Sequence, residues 1–231
     1  MHTIQIQILK KLMFAKKAKY STLKPKEIEG NLFSYHLKNL VKEDFIELKN
    51  DYYTLTTKGK QHVDRLSTLT LSTRIQPKIV TLIVLKNKGK YLMYKRKKMP
   101  FMDYVGFPYG KIHLEERVQD SAERELLEKT GLVASLKHRG EAYITVDDDT
   151  EMISHMLCHV FTGSKYREAS EDERQLNKNI EGIGECFWST IEEIPKNKLI
   201  PGVTQIEKLL TKNKNNLFFA EYFLNVSEDT E

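Results

Sequence analysis

The sequence predicts a multidomain protein: a small α+β module over residues 1–70, a linker over 71–76, and a larger mixed α/β module over 77–231. Three observations carry that reading. Residues 1–74 hold 14 Lys and Arg against 7 Asp and Glu, whereas 75–231 hold 23 against 25. A basic part joined to a mildly acidic one marks two modules with different partners. The first 66 residues read as helix, helix, helix, hairpin, helix. From residue 77 onward, apolar β-branched runs and turns surround one strongly charged helical stretch that closes at Gly131. A chain of 231 residues is comfortable for two domains, and 40% hydrophobic residues suffice for buried cores.

In chain order, Ile4, Ile8, Leu9 and Leu12 at core spacing predict a helix over 3–17. A second short helix is expected around 25–29, because proline is tolerated at a helix start. Gly30 and Asn31 then break the chain and offer a cap. In the next helix Phe33, Leu37, Leu40 and Val41 make an inward face, leaving Ser34, Tyr35, His36, Lys38, Asn39 and Lys42 largely outside. Strand-like runs at 45–49 and 52–56 flank Asn50 and Asp51, a tight-turn pair. A last helix is expected over 57–66.

In the larger module, 79–85 and 91–94 read as strands joined by Asn87-Lys88-Gly89, and 142–146 and 152–161 as strands joined by three aspartates. Residues 186–189 suggest a short strand and 201–210 a helix. The run Lys95-Arg96-Lys97-Lys98 could draw phosphates, and 165–178 reads as a charged mobile loop. His155, His159 and Glu151 share a strand face, but histidines four apart on a strand are about 13 Å apart, too far for one ion. No apolar run approaches the roughly 20 residues that span a membrane. The N-terminus lacks a signal-peptide build, and Cys158 and Cys186 supply no disulfide framework. Membrane partners are therefore not expected, and a cytoplasmic location is.

The helix carrying Ser34 to Lys42, followed by Phe45-Ile46-Glu47 and by Tyr53-Thr54-Leu55-Thr56-Thr57-Lys58-Gly59, resembles the recognition helix, wing and closing helix of winged helix-turn-helix regulators. The resemblance covers about 65 residues. It implies that Ser34, Tyr35, His36, Lys38 and Asn39 meet bases or phosphates of double-stranded DNA, with Lys49 at the wing on a phosphate. Paired half-sites would favour a homodimer. A protein-contact role for the same fold is the alternative.

Gly110, five residues, Glu116, seven residues, then Arg124-Glu125-Leu126, one residue, Glu128-Lys129, one residue, and Gly131-Leu132 resemble the Nudix box, G-x5-E-x7-R-E-U-x-E-E-x-G-U with U aliphatic. Gly106-Phe107-Pro108 before it and Trp188-Ser189 after it also fit such a domain. The resemblance implies an α/β/α sandwich with a mixed sheet, and divalent-cation-dependent hydrolysis of a nucleoside diphosphate linked to another moiety. Carried over by position, Glu125 and Glu128 would be metal ligands or the base for water, and Tyr109 would lend a backbone carbonyl. Magnesium or manganese is the implied cofactor, and a nucleotide the implied ligand. Glu116 and Arg124 would form a structural ion pair, and Gly131 would end the helix in a left-handed conformation. A further carboxylate is expected from a later loop, with Glu181 first and Glu185 second.

One fixed position departs. Lys129 stands where the second glutamate of the pair would be a metal ligand, and it is four residues beyond Glu125, a favourable helical ion-pair spacing. Two readings follow: a hydrolase with a changed metal set, or a regulator whose weakly active or inactive pocket senses a nucleotide. With three of the four charged positions of the box core intact, the first is favoured.

Overall fold

In the computed structural model, which describes residues 1–67, 70, 72–175 and 184–226, the chain divides into two compact units, Met1–Gln76 and Pro77–Glu231.

The first unit is built on α1 (Thr3–Met13), α2 (Tyr20–Leu23), α3 (Gly30–Lys42), a hairpin of β1 (Ile46–Lys49) and β2 (Tyr52–Leu55), and α4 (Thr57–Asp64). His2 caps α1: its side chain accepts from the Ile4 N–H, and Gln5 accepts from the His2 N–H in return. Ile4, Ile8, Leu9 and Leu12 pack with Phe33, Leu37, Leu40 and Ile46 into one core. Asn50 and Asp51 both adopt positive φ, the geometry a two-residue hairpin turn needs. Gly59 is compulsory in α4, because a Cβ there would come within 2.0 Å of the Phe45 carbonyl oxygen.

Three expectations fail in this unit. The short second helix lies at Tyr20–Leu23, not 25–29; it ends at Lys24, before Pro25, as helices usually do ahead of proline. Val41 is outward and exposed. His36 is inward and buried, its ring stacked on His2 at 4.1 Å.

The second unit has an eight-stranded mixed sheet. Its strands are β3 (Lys78–Asn87), β4 (Lys90–Arg96), β5 (Val105–Gly106), β6 (Tyr109–Lys111), β8 (Lys137–Asp147), β9 (Met152–Gly163), β11 (Gly184–Ser189) and β12 (Phe218–Asn225). The order is β11-β4-β3-β9-β8-β12, with β5 on β4 and β6 on β3. β3 runs parallel to β9 and β8 to β12; the other pairings are antiparallel. Beside it, β7 (Leu132–Ala134) pairs with β10 (Tyr166–Glu168). Helix α5 (Val118–Thr130) buries Ala122 and Leu126 against Ile83, Leu85 and Phe161. Helix α7 (Val203–Lys212) buries Val203 and Ile206 in a separate cluster with Val80, Val84, Cys158 and Val160. Alternate residues of β3 and β9 thus feed opposite faces, each covered by a helix, which is the α/β/α arrangement.

Tyr166–Glu168 forms a strand and α6 (Glu171–Gln175) a helix, where the sequence reads as loop. The Ala169 N–H donates to the Gly131 carbonyl at 2.8 Å, tying this segment to the end of α5. Among the described residues no helix is long and apolar enough to cross a membrane.

Candidate active site

Helix α5 starts after Arg117 and ends at Gly131, whose φ of 68° is cheap only for glycine. Its residues three and four apart, Ser121, Arg124, Glu125 and Glu128, share a side. Arg124 is the hub. Its Nε donates to Glu116 Oε1 at 2.6 Å and its Nη2 to Glu116 Oε2 at 2.9 Å, a two-pronged pair that ties the preceding loop to the helix. Nη2 also reaches the Lys111 carbonyl at 3.1 Å, and Nη1 donates to Glu125 Oε1 at 2.9 Å and Glu128 Oε2 at 3.0 Å. With that guanidinium beside it and the His113 N–H donating to it, the Glu116 carboxyl is held down at about 2. Contact with three carboxylates raises Arg124 further above its ordinary value.

Glu125 is 5% exposed and lies against the backbone of β6. A Cβ at Gly110 would stand 1.7 Å from its carboxyl carbon, so the glycine at that place makes room for this side chain. Lys129 Nζ donates to Glu125 Oε2, the oxygen Arg124 does not take. Both oxygens of Glu125 therefore meet chain-borne cations.

These residues open on a cleft of about 500 Å³. Among the described residues lining it are six cationic side chains, Lys78, Arg96, Lys98, Lys111, Arg124 and Lys129, against two carboxylates, Glu125 and Glu128. Burial lowers the Lys78 ammonium, with Lys111 and Arg96 adding repulsion. Lys78 donates to the Ser154 hydroxyl at 3.3 Å, and Arg96 to the Pro100 carbonyl at 3.0 Å and to the Tyr109 hydroxyl. Burial raises the Tyr109 phenol, with Arg96 opposing.

The basic run that ends β4 and continues past it is sorted two ways. Arg96 and Lys98 face the cleft, while Lys95 pairs with Asp103 and Lys97 with Glu185. Lys78, Lys111 and Ser154 have no motif of their own in the sequence; only the register of β3 with β6 and β9 brings them here.

Of the predicted site residues, Gly110, Tyr109, Arg124, Glu125 and Glu128 meet at this cleft, Glu116 stands behind it holding Arg124, and Gly131 closes the helix. Glu185 does not join them: it is exposed, paired with Lys97, and kept low by that lysine. Glu181 lies outside the described residues. In the first unit, Tyr35 and Lys38 are exposed, Ser34 and Asn39 are half-buried, and Lys49 is exposed and paired with Glu47 at 2.8 Å. The Ser34 hydroxyl is 2.9 Å from that of Tyr20. His36 leaves the candidate surface because it is buried, and burial, then His2, lowers its imidazole.

The donors present do not fit a magnesium ion as arranged. Magnesium demands near-octahedral oxygen ligands. Glu125 has both oxygens engaged and Glu128 has one held by Arg124. Near a protein surface two unit charges 4 Å apart repel by about 4 kcal/mol, and a divalent ion beside the Lys129 ammonium would feel about twice that.

The curated ADP-ribose pyrophosphatase of Methanocaldococcus jannaschii is 29% identical over 87 residues, 38% of this chain and 50% of that protein. The chain thus spans about half the length of the curated relative it matches. Among solved structures, the NUDIX hydrolase from Nitrosomonas europaea aligns with a TM-score of 0.49 at 20% identity, covering 62% of this chain and 94% of that one. The MutT protein from Bacillus halodurans gives 0.48 at 17%, covering 63% and 89%. The NUDIX domain family model matches residues 76–211, more than half of the 231 residues, and the chain belongs to that family.

Proposed function

We propose that the C-terminal unit binds a nucleoside diphosphate linked to a second moiety, with the diphosphate seated among the cations of the cleft, and that Lys129 suppresses its hydrolysis. The observation that carries this is the charge of the cleft, six cations against two carboxylates, three of whose four oxygens the chain already engages. An anionic ligand completes that arrangement, because Lys78, Arg96 and Lys111 have no carboxylate partner among the described residues, and phosphate oxygens accept charge-assisted hydrogen bonds. A metal cation would add to the excess.

A second reading keeps hydrolysis. The pair Glu116–Arg124 holds the box in shape, and Glu128 Oε1 has no partner among the described residues, leaving it free to take a proton from an attacking water. The name of the curated relative makes ADP-ribose the first ligand to try. Calorimetry with ADP-ribose and nucleotide sugars in EDTA, beside turnover assays with magnesium or manganese, separates the readings. Saturable, salt-sensitive binding without metal and no turnover is the expected result. Metal-dependent turnover restores the hydrolase, and absence of binding in EDTA removes the binding reading.

For the first unit, the order helix, helix, helix, hairpin, helix and the +7 charge support a winged-helix reader of double-stranded DNA. Its contacts would come from Tyr35, Lys38, Asn39 and Ser34 on α3 and Lys49 on the hairpin. Nucleotide in the cleft would then act as a signal for DNA binding. Lys38→Ala is expected to reduce the slope of log K against log salt by about 0.9. A chain that shifts no DNA from its own upstream region at low salt ends this part of the proposal.

A further inference from the structure

On the face of β8 and β9, outside the cleft, three side chains converge that no box or motif connects. Glu141 Oε1 is 3.2 Å from His138 Nε2 and 3.4 Å from His159 Nδ1. One donor atom from each of the three lies within 4.8 Å of the others. The convergence depends on an irregularity. His138 pairs with Phe161, Gly140 with Val160 and Glu141 with His159, so Arg139 is the extra residue of a β-bulge. Without it, residues 138 and 141 would point to opposite faces of the sheet. Gly140, at φ 135°, is where the bend is made; a Cβ there would stand 2.1 Å from the Phe218 carbonyl oxygen on β12.

We propose that His138, Glu141 and His159 form a binding site for one divalent first-row transition ion of the zinc class. Donors each about 2.0–2.1 Å from a tetrahedrally coordinated zinc lie roughly 3.3 Å apart, and the two nitrogen–oxygen separations here bracket that value. Two imidazoles and one carboxylate suit zinc and its neighbours, whereas magnesium prefers oxygen alone.

Hydrogen bonding within the cluster does not account for it. His138 Nε2 is shielded from solvent and has no hydrogen-bond partner among the described residues, although the carboxylate oxygen is close, because the ring is not aimed for a hydrogen bond. A bound ion would satisfy that orphaned nitrogen.

Among the described residues no lysine or arginine is paired with Glu141, in contrast to Glu125. The three side chains are 20–35% exposed, so an ion can enter and keep one position open to water or ligand. The ion would clip β8 to β9 across the bulge.

The test uses the full chain, stripped with a chelator and titrated with zinc by calorimetry in excess magnesium. One equivalent per chain is expected, and no zinc binding overturns the proposal. His138→Asn with His159→Asn should weaken binding by at least about 100-fold, since even outer-shell partners of a metal ligand are worth 10–100-fold. Unchanged affinity in that variant, with its circular dichroism intact, overturns the site. Cobalt titration of the native chain gives a readout that does not depend on a variant folding. A four-coordinate ligand-field spectrum without thiolate charge transfer supports the site. A six-coordinate spectrum, or one carrying the thiolate signature of Cys158 or Cys186, overturns it.

Discussion

Two ionic clusters of the C-terminal unit share ingredients and differ in what fills their centre. On α5, Glu125 and Glu128 converge as ligands of a divalent cation would, but Arg124 and Lys129 already supply the positive charge. On β8 and β9, Glu141 meets two imidazoles and, among the described residues, no lysine or arginine. Carboxylates in the right places do not decide whether an ion binds. The cations that the same fold delivers to those carboxylates decide it, because a net positive surround costs a divalent ion several kcal/mol.

The strongest break of that contrast is Arg124→Met. It keeps the length of the side chain and removes the charge that three carboxylates share. Breaking a buried ion pair from one side costs roughly 3–5 kcal/mol, so the urea midpoint of the C-terminal unit should fall accordingly. The carboxylates left behind should then recruit magnesium or calcium, and either ion should recover part of the loss. A variant as stable as the native chain would mean that Arg124 is not the hub.

Lys129→Glu is the next step, with an apo cost of about 1–3 kcal/mol, because Glu125 loses one partner and gains a like charge. Here magnesium should more than restore the unfolding temperature, whereas in the native chain it should leave it unchanged. Metal-dependent hydrolysis of ADP-ribose appearing with the variant would identify the lysine as the residue that holds the reaction down. An unfolding temperature indifferent to magnesium would refute the account of the donor set.

The sequence makes the α5 cluster legible and hides the β8–β9 one, for a physical reason. A helix converts spacing into neighbours, so Glu125, Glu128 and Lys129 could be placed on one side from residue numbers alone. The ion pair of Lys129 with Glu125 follows from the same rule, whereas the left-handed end at Gly131 is what the Nudix resemblance implies. Across strands, neighbours depend on register, and register here depends on a bulge at Arg139 that nothing in the local sequence announces. His159 reads as a strand residue, but its partners His138 and Glu141 come from another strand. Lys78, Lys111 and Ser154 are hidden from the sequence for the same reason. β12 has no local signal, because Phe218 to Asn225 pairs in parallel with β8 through contacts distant in the chain. His36 turns inward against its helical pattern, its ring stacked on that of the capping residue His2, a tertiary contact that residue spacing does not reveal.

The smallest of the three effects separates the role of Glu116 from that of its neighbours on α5. Its carboxyl is depressed from 4.5 to about 2, chiefly by Arg124. A depressed carboxyl contributes stability that is fully present above its unfolded value and is lost as pH falls through its folded value. The contribution should therefore stand intact above pH 4.5 and fade between 4.5 and about 2. Glu116→Gln keeps the shape and loses the charge, at a cost of about 1.5 kcal/mol at neutral pH for a hydrogen bond to a charged group. Unfolding free energies of the native chain and the variant, measured from pH 7 to pH 2, should converge at the acid end. Parallel curves would mean that Glu116 holds Arg124 by shape rather than by charge, and the hub would then rest on Glu125 and Glu128 alone.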